Sequence, residues 1–348
     1  MKFKMIAALA AATFACALPA VSPAWADDFP SHPMTMIIPF AAGGPTDILG
    51  RVVAGRMSEI LGQTVVVENV GGAGGMTGAA RVANASPDGY QFVLGTVGTH
   101  AQGQTLYKNP LYNSVTDFTP VILIANVPIV LETRKDLPVN NFKEFVAYAK
   151  ENQAKMQFAS AGAGSATHLG CVLLNYVLGI NVTHVPYRGT GPALQDLEGG
   201  RVDYMCDIIT TAKPPIDQGA VKGIAIFDSK RSPALPNVPT AAEQGTPNLI
   251  AYTWNAIFLP KNTPEPIVKK IHDAALAAMN TPTVHDKLTA LGAEIVSDQD
   301  ATPQHLGELV KSEIAKWAGA DQSERRHGRI APGPAIGTTQ FLGYTALG

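Results

Sequence analysis

The stretch Met36-Ile37-Ile38-Pro39-Phe40-Ala41-Ala42-Gly43-Gly44-Pro45-Thr46-Asp47 decides how the chain is read. Apolar residues run into a glycine pair, and helical spacing begins directly after it. A strand that turns through Gly-Gly into a helix leaves backbone N–H groups aimed into the gap. With the positive end of the helix dipole they make an anion site that needs no basic side chain. The backbone around Phe40, Ala41, Ala42, Gly43 and Gly44 is therefore a candidate carboxylate site. Asp47 is a candidate to orient the loop, or to accept from a ligand or bridging water. The plainer alternative is an ordinary turn with Asp47 favouring the dipole. A P-loop would need Gly-Lys-Ser/Thr and a dinucleotide loop G-x-G-x-x-G; neither is spelled here.

Outward from this loop, strands and helices alternate. Ile48, Leu49, Val52, Val53, Met57, Ile60 and Leu61 recur at helical spacing, and Gly62 stands where a C-terminal cap belongs. Strands are expected over 64–67 and 92–96, with a second glycine turn at 71–75 and a small-residue helix to 85. Such strand–helix–strand runs specify a parallel sheet covered by helices. A second run follows. Strands are expected at 121–125, 129–132, 156–159, 182–185, 202–207 and 223–227, with helices at 142–150, 165–177 and 192–197. A strand at 254–259, a helix at 266–279 and a last helix with the stripe Leu306, Leu309, Val310, Ile314, Trp317 complete the pattern.

No linker separates two contiguous halves. The expectation is an α/β protein of two lobes, each a mostly parallel sheet flanked by helices. Lobe one would comprise 27–126 plus 230–317, lobe two 127–229, with the chain crossings acting as a hinge. Proteins of this plan bind ligands between the lobes and close on them.

Other loops repeat the anion-binding logic. Thr96, Gly98, Thr99 and His100 lie just past a strand end, where parallel sheets place ligands. Ser160, Ala161, Gly162, Ser165, Thr167 and His168 form a strand–glycine turn–helix in lobe two, with hydroxyls near the helix start. His168 is a ligand contact or a packing residue. Tyr187-Arg188-Gly189-Thr190-Gly191-Pro192 is a third such turn, and Asp207 ends a strand. Polar loop, surface arginine and buried hydrogen-bonding aspartate are the plain alternatives.

Composition narrows the class. Charged residues are 16% and hydrophobic ones 46% of 348, which favours a packed protein over disorder. Residues 1–26 read as a secretory signal: Lys2 and Lys4, an apolar run to Leu18, and Ala24-Trp25-Ala26 for cleavage. Cys16 lacks a convincing lipobox. Cleavage would move the formal charge from −2 to −4, leaving 24 basic and 28 acidic residues. Nothing in that balance suits nucleic acid or a membrane surface. The two remaining cysteines, Cys171 and Cys206, read more readily as buried thiols than as a bridge, although an oxidising compartment permits one. No metal-binding spacing occurs among the eight histidines, and no cofactor is expected. Catalysis would need a nucleophile with an oriented base; Ser165 with His168 is the one nearby pair, and no third residue is apparent.

The segments 38–47, Val66-Val-Glu-Asn69, Pro87-Asp-Gly-Tyr90, Asp117-Phe-Thr-Pro120, Ser160-Ala-Gly162, His184-Val-Pro-Tyr187, Lys230-Arg-Ser-Pro233 and Asn237-Val-Pro-Thr240 together resemble the substrate-binding proteins of tripartite tricarboxylate transporters, the Bug family. The resemblance covers about 28–317. It implies a periplasmic Venus flytrap receptor of the type II-like class, monomeric, that delivers a small carboxylate to a two-component membrane permease. It also implies that loops 41–47 and 160–168 hold the ligand, with 96–100 and Asp207 lining the cleft. An extracytoplasmic sensor working with a kinase would use the same pocket; a secreted hydrolase is the more distant alternative. One departure stands out. The family's last helix runs past its tryptophan, whereas the stripe here stops at Trp317 and a basic cluster at 325–329 follows. The tail 318–348 is therefore expected to be atypical and poorly ordered, and a shifted reading frame would account for it.

Overall fold

The computed structural model describes residues 29–326, with side chains described to 318. The expected signal peptide and the last residues of the tail lie outside the described residues. β1 (Met34–Ile38) turns into α1 (Pro45–Leu61), which Gly62 ends in the left-handed conformation. β2 (Val65–Asn69), α2 (Met76–Ala83) and β3 (Gln91–Thr96) complete the first unit. A π-helical turn over Gly98–Gln102 runs into α3 (Gly103–Leu106). Then come β4 (Phe118–Arg134), α4 (Phe142–Asn152), β5 (Gln157–Ser160), α5 (Ala166–Leu178) and β6 (Thr183–Pro186). They are followed by α6 (Thr190–Glu198), β7 (Tyr204–Ile208), α7 (Ile209–Asp217) and β8 (Val221–Ile226). The chain closes with β9 (Tyr252–Pro260), α8 (Glu265–Met279), α9 (Pro282–Ala290), β10 (Glu294–Ile295) and α10 (Pro303–Arg326).

The sheet order is β2-β1-β3-β9-β4-β7-β5-β6, with β8 and β10 also pairing to β4. The pairs among β1, β2 and β3, and among β5, β6 and β7, are parallel, as the alternating pattern requires. Every pairing of β4 and β9 is antiparallel, so the sheet is mixed. β4 is one 17-residue strand where two short ones were expected. Its first part pairs with β9 and its later part with β7 and β8, so ladder partners on successive stretches keep Asn126-Val127-Pro128 extended. β4 thus joins two lobes: β1–β3, β9 and the first part of β4 in one, and β5–β8 with its later part in the other.

Alternation on these strands sorts the core. In lobe one Met36, Ile38, Leu94 and Ile257 face α1 and α8, while Ile37, Val93, Trp254 and Phe258 face α2 and α10. Lobe two packs Phe142, Phe145, Tyr204 and Leu174 on one face of its sheet. Within it, Cys171 on α5 and Cys206 on β7 are joined in a disulfide, with Cα atoms 5.3 Å apart. This corrects the expectation of two free thiols. It arises because α5 lies directly on β7, and both side chains are fully buried.

α10 also corrects an expectation. It continues past Trp317 to Arg326. Ala318, Ala320, Gln322, Glu324 and Arg325 are good helix formers, so the helix extends without an apolar stripe. No helix among the described residues is long and apolar enough to cross a membrane.

Candidate functional site

The loop after β1 is built by Asp47. Its carboxylate accepts the Gly43 amide at 2.9 Å, the Asn69 Nδ2 at 2.9 Å and the Arg51 Nε at 3.0 Å. Asn69 also donates to the Phe40 carbonyl at 3.1 Å, so the end of β2 is tied to the end of β1. Burial pushes the Asp47 carboxyl up, but Arg51, the Gly43 amide and Asn69 outweigh it and hold the group below the ordinary range. Asp47 is thus a loop organiser. The Gly43 amide, expected to face a ligand, is occupied by it. The Ala41 amide donates to the Arg188 carbonyl across the cleft at 3.3 Å, and the Gly44 amide to the Ala41 carbonyl at 3.4 Å.

The lobes are shut on each other. Besides the Ala41 bond, Tyr107 donates its hydroxyl to the Ala163 carbonyl at 2.7 Å. Gly74 and Ala163 approach so closely that a Cβ on Gly74 would lie 2.1 Å from the Ala163 oxygen, and Gly74 has φ +62°. Glycine is required there for both reasons.

Inside this closure lies a cavity lined by Phe40, Pro45, Thr46, Thr96, Ala161, Ser165, Ala166, Thr167, Thr190, Ile208 and Thr253. Its free space is about 20 Å³, on the order of one water, which marks a tightly closed state. The lining has no charged side chain. Instead, helix N-termini converge on it. Pro45 and Thr46 begin α1, Ala166 and Thr167 begin α5, Thr190 begins α6, and Ile208 directly precedes α7. Each N-terminus carries roughly half a positive charge in its unpaired amides. Serine and threonine hydroxyls supply further hydrogen bonds. Ser165 accepts the His168 amide at 3.3 Å as the N-cap of α5 and donates to the Gly162 carbonyl at 2.7 Å. Thr167 accepts the Ala161 amide at 2.9 Å, which folds the 160–167 loop over the helix start.

Among the sequence candidates, Phe40, Thr96, Ala161, Ser165 and Thr167 line this cavity. Gly162 and Tyr187 line a neighbouring, more open cavity at the cleft's rim, with Tyr107 and Arg188. The others support the walls. Ala42, Ala41, Gly43, Gly44 and Asp47 form the loop behind Phe40. Gly98 and Thr99 form the turn after β3, where Thr99 hydrogen-bonds back to Thr96. His100 is wholly buried on the opposite face of the sheet, stacked on Phe258 with centroids 3.9 Å apart, and burial lowers its pKa to about 3. His168 stacks on His184 and accepts the Gly164 amide at 3.2 Å. Burial, then His184, lowers its pKa to about 3, so it packs as a neutral ring. Ser160 pairs with His184 at 2.6 Å and accepts the Gly162 amide.

Asp207, one residue before the cavity-lining Ile208 on β7, is buried and accepts the Thr211 hydroxyl at 2.6 Å. Burial raises its pKa to about 7 despite that bond. Glu132 lies on the same face of the sheet, since Asp207 pairs with Val130 and Glu132 is two residues on. It is fully buried, its oxygens have no partner, and burial, then Asp207 and Glu198, push its pKa well up.

Sequence reading missed Thr46, Thr190, Ile208 and Thr253 in the wall, Asn69 as a support of the 40–47 loop, and the buried Glu132 beside Asp207. Thr190 carried a signal, since it lies within the third glycine turn.

Residues 49–322 match the model of the tripartite tricarboxylate transporter family receptor. The chain belongs to that family. A UPF0065 protein of Agrobacterium vitis is 42% identical over 91% of this chain and 90% of its own length. Among solved structures, the periplasmic binding protein BugD superposes with a TM-score of 0.82 at 41% identity, covering 86% of this chain and 99% of that one. MatC from Rhodopseudomonas palustris, solved with bound malate, superposes with a TM-score of 0.81 at 42% identity, covering 84% and 99%. The family receptor is thus an α/β periplasmic solute-binding protein rather than an enzyme. The fold expected from the sequence is the one found.

Proposed function

We propose that this receptor captures a small carboxylate between its lobes and hands it to a two-component membrane permease. The observation that carries the reading is the convergence of the α1, α5 and α6 N-termini on one uncharged cavity. Helix starts there suit an anion, and with the site's histidines neutral, dipoles rather than a cation supply the attraction. Malate in the related MatC supports a small organic acid as ligand.

The lobes move as 27–126 plus 230–317 against 127–229, about the crossings in β4 and between β8 and β9. A ligand drives closure only through its preference for the closed state. Contacts such as Tyr107 to Ala163, made across the closed cleft, are part of that preference. The closed rim is the surface a permease would read, and export by the leader over 1–26 places the receptor beside it.

Isothermal titration against mono-, di- and tricarboxylates, with neutral amides as controls, tests the ligand class. Binding of an acid but not its amide supports the reading; binding of neither, by protein shown free of co-purified acid, contradicts it.

A further inference from the structure

We propose that Asn255 on β9 recognises the second carboxylate of a diacid ligand and so sets the receptor's preference for diacids over monoacids. This rests on the carboxylate-capture reading above. Asn255 pairs directly opposite Thr96 of β3, and Thr253 lies two residues away on the same strand. Residues opposite each other, or two apart on one strand, share a face of the sheet. Thr96 and Thr253 both line the cavity, so Asn255 lies next to two of its wall residues on the same face of the sheet, one layer behind the lining itself. Its side chain is 3% exposed, yet Nδ2 has no hydrogen-bond partner. Leaving a buried amide donor unpaired is unfavourable, and a ligand acceptor offsets that cost.

The division of labour follows from position. The helix N-termini surround one part of the cavity with backbone donors and account for one carboxylate. The β3–β9 side of the cavity offers side chains instead: the Thr96 hydroxyl in the wall and, beside it, the unpartnered amide of Asn255, whereas the Thr253 hydroxyl donates to the Trp254 carbonyl at 3.4 Å. A second carboxylate meets that wall; the methyl end of a monoacid leaves the Asn255 amide unpaired.

The test is titration of the full mature chain and its Asn255→Ala and Asn255→Asp variants with succinate and with butyrate. The expected result is a loss of succinate affinity of about tenfold in Asn255→Ala, with butyrate affinity unchanged. Asn255→Asp, nearly the same shape but presenting a carboxylate, loses more succinate affinity than Asn255→Ala does. A succinate-to-butyrate ratio unchanged in both variants overturns the proposal, as does an equal loss for both acids, which would mark Asn255 as packing. Failure of the unsubstituted protein to bind either acid would instead remove the carboxylate reading itself, and this inference with it.

Discussion

Asp47 accepts the amide of Gly43 at 2.9 Å, four residues before it in the chain. That bond spends an amide that could have faced a ligand, and with Asn69 and Arg51 it fixes the loop that carries Phe40 and the start of α1. Asp47→Ala should therefore weaken carboxylate binding by about 10–100-fold, the equivalent of one or two hydrogen bonds to a charged group. Arg188→Ala, whose side chain lies at the rim, should change it little. Titration calorimetry with one acid decides; equal losses would contradict the organiser role.

Gly74→Ala should impair closure. The added Cβ meets the Ala163 oxygen, and the backbone at φ +62° disfavours alanine. Ligand affinity should fall, and small-angle scattering of the saturated variant should show a larger radius of gyration than the saturated parent. Unaltered compaction would contradict the close glycine contact.

The Cys171–Cys206 bridge closes a separation of 35 residues, for which about 3–4 kcal/mol of stabilisation is expected. Cys171→Ala with Cys206→Ala should lower stability by that order in chemical denaturation, and reductant should then have no further effect. No loss on removing both cysteines would contradict a structural bridge.

How legible the fold was depends on where pattern carries information. Helical periodicity over 48–61 and the Gly62 stop predicted α1 because both are local signals. β4 read as two strands because Asn126 and Pro128 interrupt its apolar run; the partners that hold it extended are distant in sequence. The same limit applies to the site. The loops carrying Phe40, Ser165 and Thr167 announce themselves through glycine turns before helices. Thr253 does not, since its facing is fixed by register against Val127 of β4, which no local motif encodes. His100 read as a cleft residue because it follows a strand end, but the turn at Gly98–Gln102 carries it to the other face. The Cys171–Cys206 bridge needed α5 docked on β7 before it could be distinguished from two buried thiols.

Asp207 and Glu132 should make stability fall as pH rises. Their pKa values are raised in the folded state, Asp207 to about 7, so between its ordinary value near 4 and about 7 the folded form holds more protons than the unfolded one. The penalty is absent below the unfolded pKa and grows as pH climbs towards the folded one. Asp207→Asn should thus melt higher relative to the parent at pH 8 than at pH 5. A difference independent of pH would contradict a protonated carboxyl in that core.

The central claim is that converging helix N-termini hold a carboxylate in a closing cleft. Thermal unfolding of the purified receptor with malate and with its neutral diamide tests it most directly. At about 100 times its dissociation constant the acid should stabilise the protein by roughly 2.7 kcal/mol, a rise of several degrees, while the diamide does little. An equal rise with both would contradict anion recognition. No rise with malate or any other small acid, from protein that mass spectrometry shows to carry none, would contradict the claim outright.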